Sequence, residues 1–184
     1  MKRLAYYFAL FALVFVSCGN SGTNPEKIFT TIGLNGNKIP SNFRRAFDEI
    51  RGQKRIGNLK IYDAKTKGYK PSTAQEYIEA NYLHMFDEDM EKVKALKGDE
   101  ESQPIIDAGL AMFQYADEIY KHEYPRIAKM IDDGASDEEV NDIIGQIEEV
   151  RGVKLGELRN KTMDLLLPYA DKNGVEYKTM NTRF

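Results

Sequence analysis

Residues 104–131, PIIDAGLAMFQYADEIYKHEYPRIAKMI, decide the fold. Ile106, Leu110, Phe113, Ala116, Tyr120, Tyr124, Ile127 and Ile131 recur at steps of three and four. That period is the 3.6-residue period of an α-helix, and it places the eight on one buried face. Pro104 suits a first turn, where its missing N–H has no partner to lose. Gly134 supplies the stop. Pro125 lies inside the pattern and removes one backbone hydrogen bond, which predicts a kink.

Two further helices flank this one. On the N-terminal side, Ser72 with Gln75 reads as a capping box after Pro71. Ile78, Tyr82, Met85, Phe86, Met90, Val93 and Leu96 then predict one helix running to Gly98. On the C-terminal side, Ser136 reads as an N-cap, with Asp137 and Glu138 in the positive first turn and Glu139 completing a capping box. Val140, Ile144, Ile147, Val150, Leu155, Leu158, Leu165 and Leu166 form its stripe, and Asn173-Gly174 ends it. Gly145, Gly152 and Gly156 interrupt this third helix. They mark either a close backbone approach or a break near Arg151-Gly152. Three long helices with short connections predict an all-α chain, an antiparallel bundle over residues 71–174, followed by a tail over 175–184.

Residues 28–70 differ in pattern and in charge. Asn35-Gly36 signals a turn and a small hairpin. A short helix is expected over 41–51, with Phe43, Phe47 and Ile50 on one face, and Leu59 to Tyr62 alternates as a short strand. Residues 38–70 carry ten Lys or Arg against three acids, whereas 71–184 carry 13 against 25. This basic arm either complements the acidic helices or faces anionic lipid head groups.

The first 27 residues carry an address. Lys2 and Arg3 precede Leu4–Val16, an uncharged run of 13 residues. A membrane span needs about 20, so the run reads as the core of an export signal. Phe15-Val16-Ser17-Cys18-Gly19 follows. The stretch resembles the lipobox of bacterial lipoproteins, with Phe15 where Leu is usual. The resemblance implies cleavage before Cys18 and acylation of its thiol, with residues 1–17 removed. Two or more acyl chains make a stable anchor where one does not. Residues 18–27, rich in Gly, Asn and Ser, read as a flexible tether. The alternatives are ordinary cleavage after Gly19 and an uncleaved anchor. Gly19 after the cysteine favours the outer membrane if the cell is Gram-negative.

Cys18 is the chain's one cysteine, so no internal disulfide is available. Catalytic material is sparse. His84 and His122 are the two histidines, and Glu118 lies one turn before His122. A metal or acid–base site between helices would use these three residues. Neither histidine has a Glu three residues before it, as inward-facing di-iron motifs require, and surface placement is the plainer expectation. Asp132, Asp133 and Asp137–Glu139 crowd one loop without the spacing of a calcium loop. Tyr77, Tyr82, Tyr115, Tyr120 and Tyr124 stand at helical spacing and read as core filling. No cofactor is expected, and a net acidic exported chain is a poor partner for nucleic acid. The anchor that the lipobox resemblance implies, the helical bundle and the absence of a convincing catalytic set favour a non-enzymatic lipoprotein of the cell envelope that binds a protein or another envelope component. The rivals are a metal-binding or enzymatic bundle and a carrier of a small apolar ligand.

The lipobox reading makes a direct prediction. The N-terminal tryptic peptide of the native product, Cys18–Lys27, carries lipid on its thiol by mass spectrometry; a bare thiol there removes the anchor.

Overall fold

The computed structural model describes residues 24–40 and 42–178. The signal segment 1–17, Cys18 and the tether as far as residue 23 lie outside them. Over the described residues the chain is mostly helical, with one two-stranded sheet.

A first helix, α1 (Pro25–Ile28), continues as a π-helical stretch, Phe29–Leu34. Asn24 caps it by accepting the Lys27 N–H at 2.9 Å, so helix begins inside the stretch read as tether. The Asn35-Gly36 hairpin does not form. The chain leaves the π-helical stretch through a turn in which Lys38 N–H donates to Asn35 at 3.0 Å. Gly36 has no positive φ, which the tight hairpin turn requires. The helix α2 (Arg44–Arg55) then buries Phe47 and Ile50, with Phe43 buried just before it. Strands β1 (Lys60–Asp63) and β2 (Gly68–Pro71) pair antiparallel, Tyr62 opposite Tyr69.

The expected helix over 72–96 is two helices, α3 (Ala74–Asn81) and α4 (Asp87–Lys94), with a turn at 82–86. Its start also moves by one residue. Ser72 N–H donates to Leu59 and closes the hairpin, so Thr73 is the N-cap and Glu76 completes the box. The acids Asp87, Glu88 and Asp89 occupy the positive first turn of α4, where negative charge is favourable.

The central helix α5 (Gln103–Asp132) runs unbroken through Pro125. All the stripe residues read from its sequence are buried except Leu110, which is half-buried. Ile105, Ala108, Gly109, Met112, Ile119 and Ala128 are buried as well. The helix is therefore covered on more than one side. The chain then turns at Gly134, whose φ of +86° suits glycine. It continues as α6 (Asp137–Ile147), a π-helical stretch Glu148–Gly152, and α7 (Val153–Lys172). No break occurs at Gly152. The wider turns of the π stretch shift the register, and Val150, expected in the buried stripe, is 70% exposed.

Long-range caps fix how these elements meet. Asp132, at the end of α5, accepts the Ala74 and Gln75 N–H groups of α3, each at 2.9 Å, and Lys54 Nζ of α2 at 2.6 Å. Burial works to raise the Asp132 carboxyl. The Lys54 ammonium and the two amides outweigh it and hold the group below the ordinary carboxylate range. Glu148, in the second π stretch, accepts the Phe43 N–H at 2.8 Å and the Arg44 N–H at 3.4 Å, so a remote carboxylate caps α2. At the other end of α5, Lys172 Nζ of α7 meets Glu101 at 2.7 Å.

The glycines separate close approach from open space. A methyl group at Gly109 would lie 2.7 Å from Ile32 Cγ2, whereas at Gly145 and Gly156 it would meet nothing within 4 Å. Ile32 is β-branched and its Cγ2 has little room to move. Gly109→Ala therefore lowers unfolding free energy, because an overpacking cost of about 1–3 kcal/mol exceeds the helix-propensity gain of up to about 1 kcal/mol. Gly145→Ala and Gly156→Ala raise it by up to about 1 kcal/mol. Urea unfolding of the three variants measures both signs.

Candidate functional site

One cleft among the described residues has a volume of about 910 Å³. Small-molecule sites commonly fall between roughly 300 and 1,000 Å³. Six stretches of chain wall it. The first π stretch brings Phe29, Gly33 and Leu34; the loop after it brings Asn37 to Pro40; and α2 brings Arg45, Ala46 and Glu49. Tyr82 and Met85 come from the turn between α3 and α4, Tyr120 and Tyr124 from α5, and Arg159, Met163 and Leu167 from α7. Tyr177 and Lys178 close the rim.

Aromatic rings form the floor. Tyr120 and Tyr124, one helical turn apart, stack with centroids at 4.1 Å and planes 18° apart. Tyr82 lies against both, at 5.9 and 5.3 Å. Phe47 packs on Tyr124 at 4.8 Å, and Phe86 meets Tyr120 edge-on at 5.0 Å. The tyrosines were read as core filling. Tyr120 and Tyr124 are buried as that reading requires, yet both also line the cleft. Burial pushes the Tyr120 phenol up to about 12. Tyr124 moves further in the same direction, from burial first and from the Tyr120 hydroxyl beside it second. The Tyr124 hydroxyl is buried and has no hydrogen-bond partner of proper geometry.

One rim contact is locked from below. Lys38 Nζ meets both carboxylate oxygens of Asp89, at 2.7 and 2.9 Å, and Asp89 is 1% exposed. The pair ties the rim loop to α4. Removing Lys38 would leave a buried charge without its partner, a costly state. Other members of the basic arm also pair within the molecule. Arg51 meets Asp48 and Asp137, Arg55 meets Asp137, and Lys54 meets Asp132. Lys60, Lys65, Lys67 and Lys70 on the hairpin make no ion pair among the described residues. Tyr62 and Tyr69 stand exposed beside them, edge to face at 5.9 Å.

The two histidines lie outside the cleft lining. His84 sits in the turn before α4, 77% exposed, with Nδ1 at 2.7 Å from Asp87. The hydrogen bonds from His84 and then Lys121 lower the Asp87 carboxyl. His122 and Glu118 are exposed on α5. Among the described residues, no group of three or more His, Cys, Asp or Glu is placed to hold a metal ion. The crowded acids resolve into helix ends: Asp132 caps α3, Asp133 meets Lys129 at 2.6 Å, and Glu139 closes the capping box of α6.

The raised phenols make stability pH-dependent. A folded pKa above the unfolded value contributes stability that is complete below about pH 10 and lost as pH rises through the folded value. Unfolding free energy therefore falls from about pH 10 to 12, by up to about 1.4 kcal/mol per pH unit for each phenol. Tyr124→Phe reduces that slope. It also leaves stability at pH 7 unchanged or slightly higher, because the lost hydroxyl bonds to nothing. Urea unfolding between pH 8 and 12 tests both points, and an unaltered slope in the variant contradicts the assignment.

Comparison of the chain with protein-family models, with curated proteins and with solved structures gives no match.

Proposed function

We propose that the mature chain is a lipid-anchored binding module of the cell envelope that holds a small ligand in its cleft and carries out no catalysis. The single observation behind the binding role is the cleft itself. It joins a cavity of ligand size to stacked aromatic rings and a few polar groups at the mouth, the usual make-up of a recognition site. Tyr82, half-buried over the Tyr120–Tyr124 stack, would supply aromatic contact area, and Met85, Met163 and Leu167 the adaptable apolar walls.

The lipobox at Cys18 supports the location: a membrane of the cell envelope, the outer one in a Gram-negative cell. Among the described residues no helix is long and apolar enough to cross a membrane, so attachment in this reading falls to the lipid on Cys18. Five residues lie between Cys18 and Asn24. At roughly 3.3–3.6 Å per residue, the six steps from one Cα to the other span at most about 20 Å. Phe29, Gly33 and Leu34 of the cleft wall follow directly, so the anchor would keep the cleft near the bilayer.

We also infer that α5, the α6–α7 pair and the α3–α4 pair form an antiparallel three-helix bundle. The start of α3 meets the end of α5 through Asp132, and the end of α7 meets the start of α5 through Glu101.

Ala46 lines the cleft from α2 and is half-buried. Ala46→Trp should fill the cavity without touching Cys18. Organic extracts of the wild-type lipoprotein, purified from its own membranes, should contain a small molecule by mass spectrometry that the variant lacks, with membrane attachment equal in both. Extracts that do not differ count against the binding role.

A further inference from the structure

We propose that the cleft takes a small amphipathic anion, a carboxylate or phosphate head on an apolar body, and that Arg45, Arg159 and Lys178 hold the head. This inference rests on the binding-module reading and adds the ligand's charge.

The argument is a charge census of one cavity. Its lining groups that carry charge at neutral pH are Lys38, Arg45, Glu49, Arg159 and Lys178. Lys38 is neutralised by the buried Asp89. The other three cations make no ion pair among the described residues, and Arg159 donates only to the neutral Asn37 amide, at 3.4 Å. One acid, Glu49, stands against three cations. Lys54 and Lys172, by contrast, meet the carboxylates of Asp132 and Glu101. The cleft lining thus carries three cations without an ion pair against the single carboxylate of Glu49.

The floor supplies the second half of the ligand. Half-buried Tyr82, Met85, Met163 and Leu167 offer apolar surface below the cationic rim, over the buried Tyr120–Tyr124 stack. A ligand body seated there would cover the rim and strip water from the guanidinium groups. A neutral ligand would leave those charges desolvated and unpaired, which is costly. An anionic head replaces the lost water with charge-assisted hydrogen bonds, and the Arg fork matches carboxylate and phosphate geometry. The rim therefore penalises a neutral ligand and rewards an anion on the same apolar body.

Isothermal titration calorimetry on the full chain in non-ionic detergent, with detergent alone as the blank, separates head from body. The probes share one ring system: naphthalene-1-acetate, 1-naphthyl phosphate and the neutral naphthalene-1-acetamide. At least one anion should bind about tenfold more tightly than the amide, and the tighter of the two names the head. The preference should shrink between low and high salt. Arg45→Gln with Arg159→Gln should remove it while leaving the melting temperature unchanged. Equal affinity for anions and amide overturns the anionic ligand and leaves the cleft as a binding site. A preference untouched by the double variant overturns the role of the two arginines. No binding of any probe at millimolar concentration overturns the binding role itself.

Discussion

The structure depends on α5 being buried on more than one face. Thirteen of its residues are buried, and α3, α4, α6 and α7 all pack against it. A large apolar side chain taken fully out of water contributes about 1.5–3 kcal/mol. An exposed ion pair such as Arg55–Asp137 contributes about 0–1 kcal/mol. The apolar contacts along α5 therefore dominate, and the surface charges adjust around them. Gly109 shows how tight this packing is. Its missing side chain lets the first π-helical stretch lie against α5 through Ile32, and that stretch then walls one side of the cleft.

Packing alone would leave helix ends unsatisfied, and two carboxylates resolve this at long range. Asp132 closes the start of α3 and binds Lys54, and Glu148 closes the start of α2. Each joins elements far apart in sequence, and each bears on the cleft. The Glu148 cap sets the start of α2, which contributes Arg45 and Glu49. The Asp132 cap sets the start of α3, which leads into Tyr82 and Met85. The π-helical turn holding Glu148 also turns Val150 outward. A register shift that loses one buried valine thus places the carboxylate that caps a neighbouring helix.

The candidate site was legible only in fragments. Tyr120 and Tyr124 stood out in sequence, since one helical turn separates them, but a buried stripe and a cleft floor have the same spacing. His84 and His122 stood out by residue type, and the fold leaves both exposed outside the cleft. Arg45 carries only the general signal of the basic arm, and Arg159 and Lys178 carry none. Nothing local distinguishes a basic residue that meets a carboxylate across the molecule from one that does not. Asp87-Glu88-Asp89 is the acidic first turn of a new helix, and it marks a break that the apolar period runs straight across.

By itself the sequence determined the helical content, the buried face of α5, a short strand near Leu59–Tyr62 (observed as Lys60–Asp63), the capping box at Ser136 and the lipobox resemblance at Cys18. These depend on hydrogen bonds and side-chain spacings within a few residues, which local pattern records. Tertiary structure alone decided the split at 82–86, the register after Glu148, the burial of Asp89 beneath Lys38 and the cleft. Each of these requires groups from distant parts of the chain to satisfy one another, and no local period encodes which distant groups will meet.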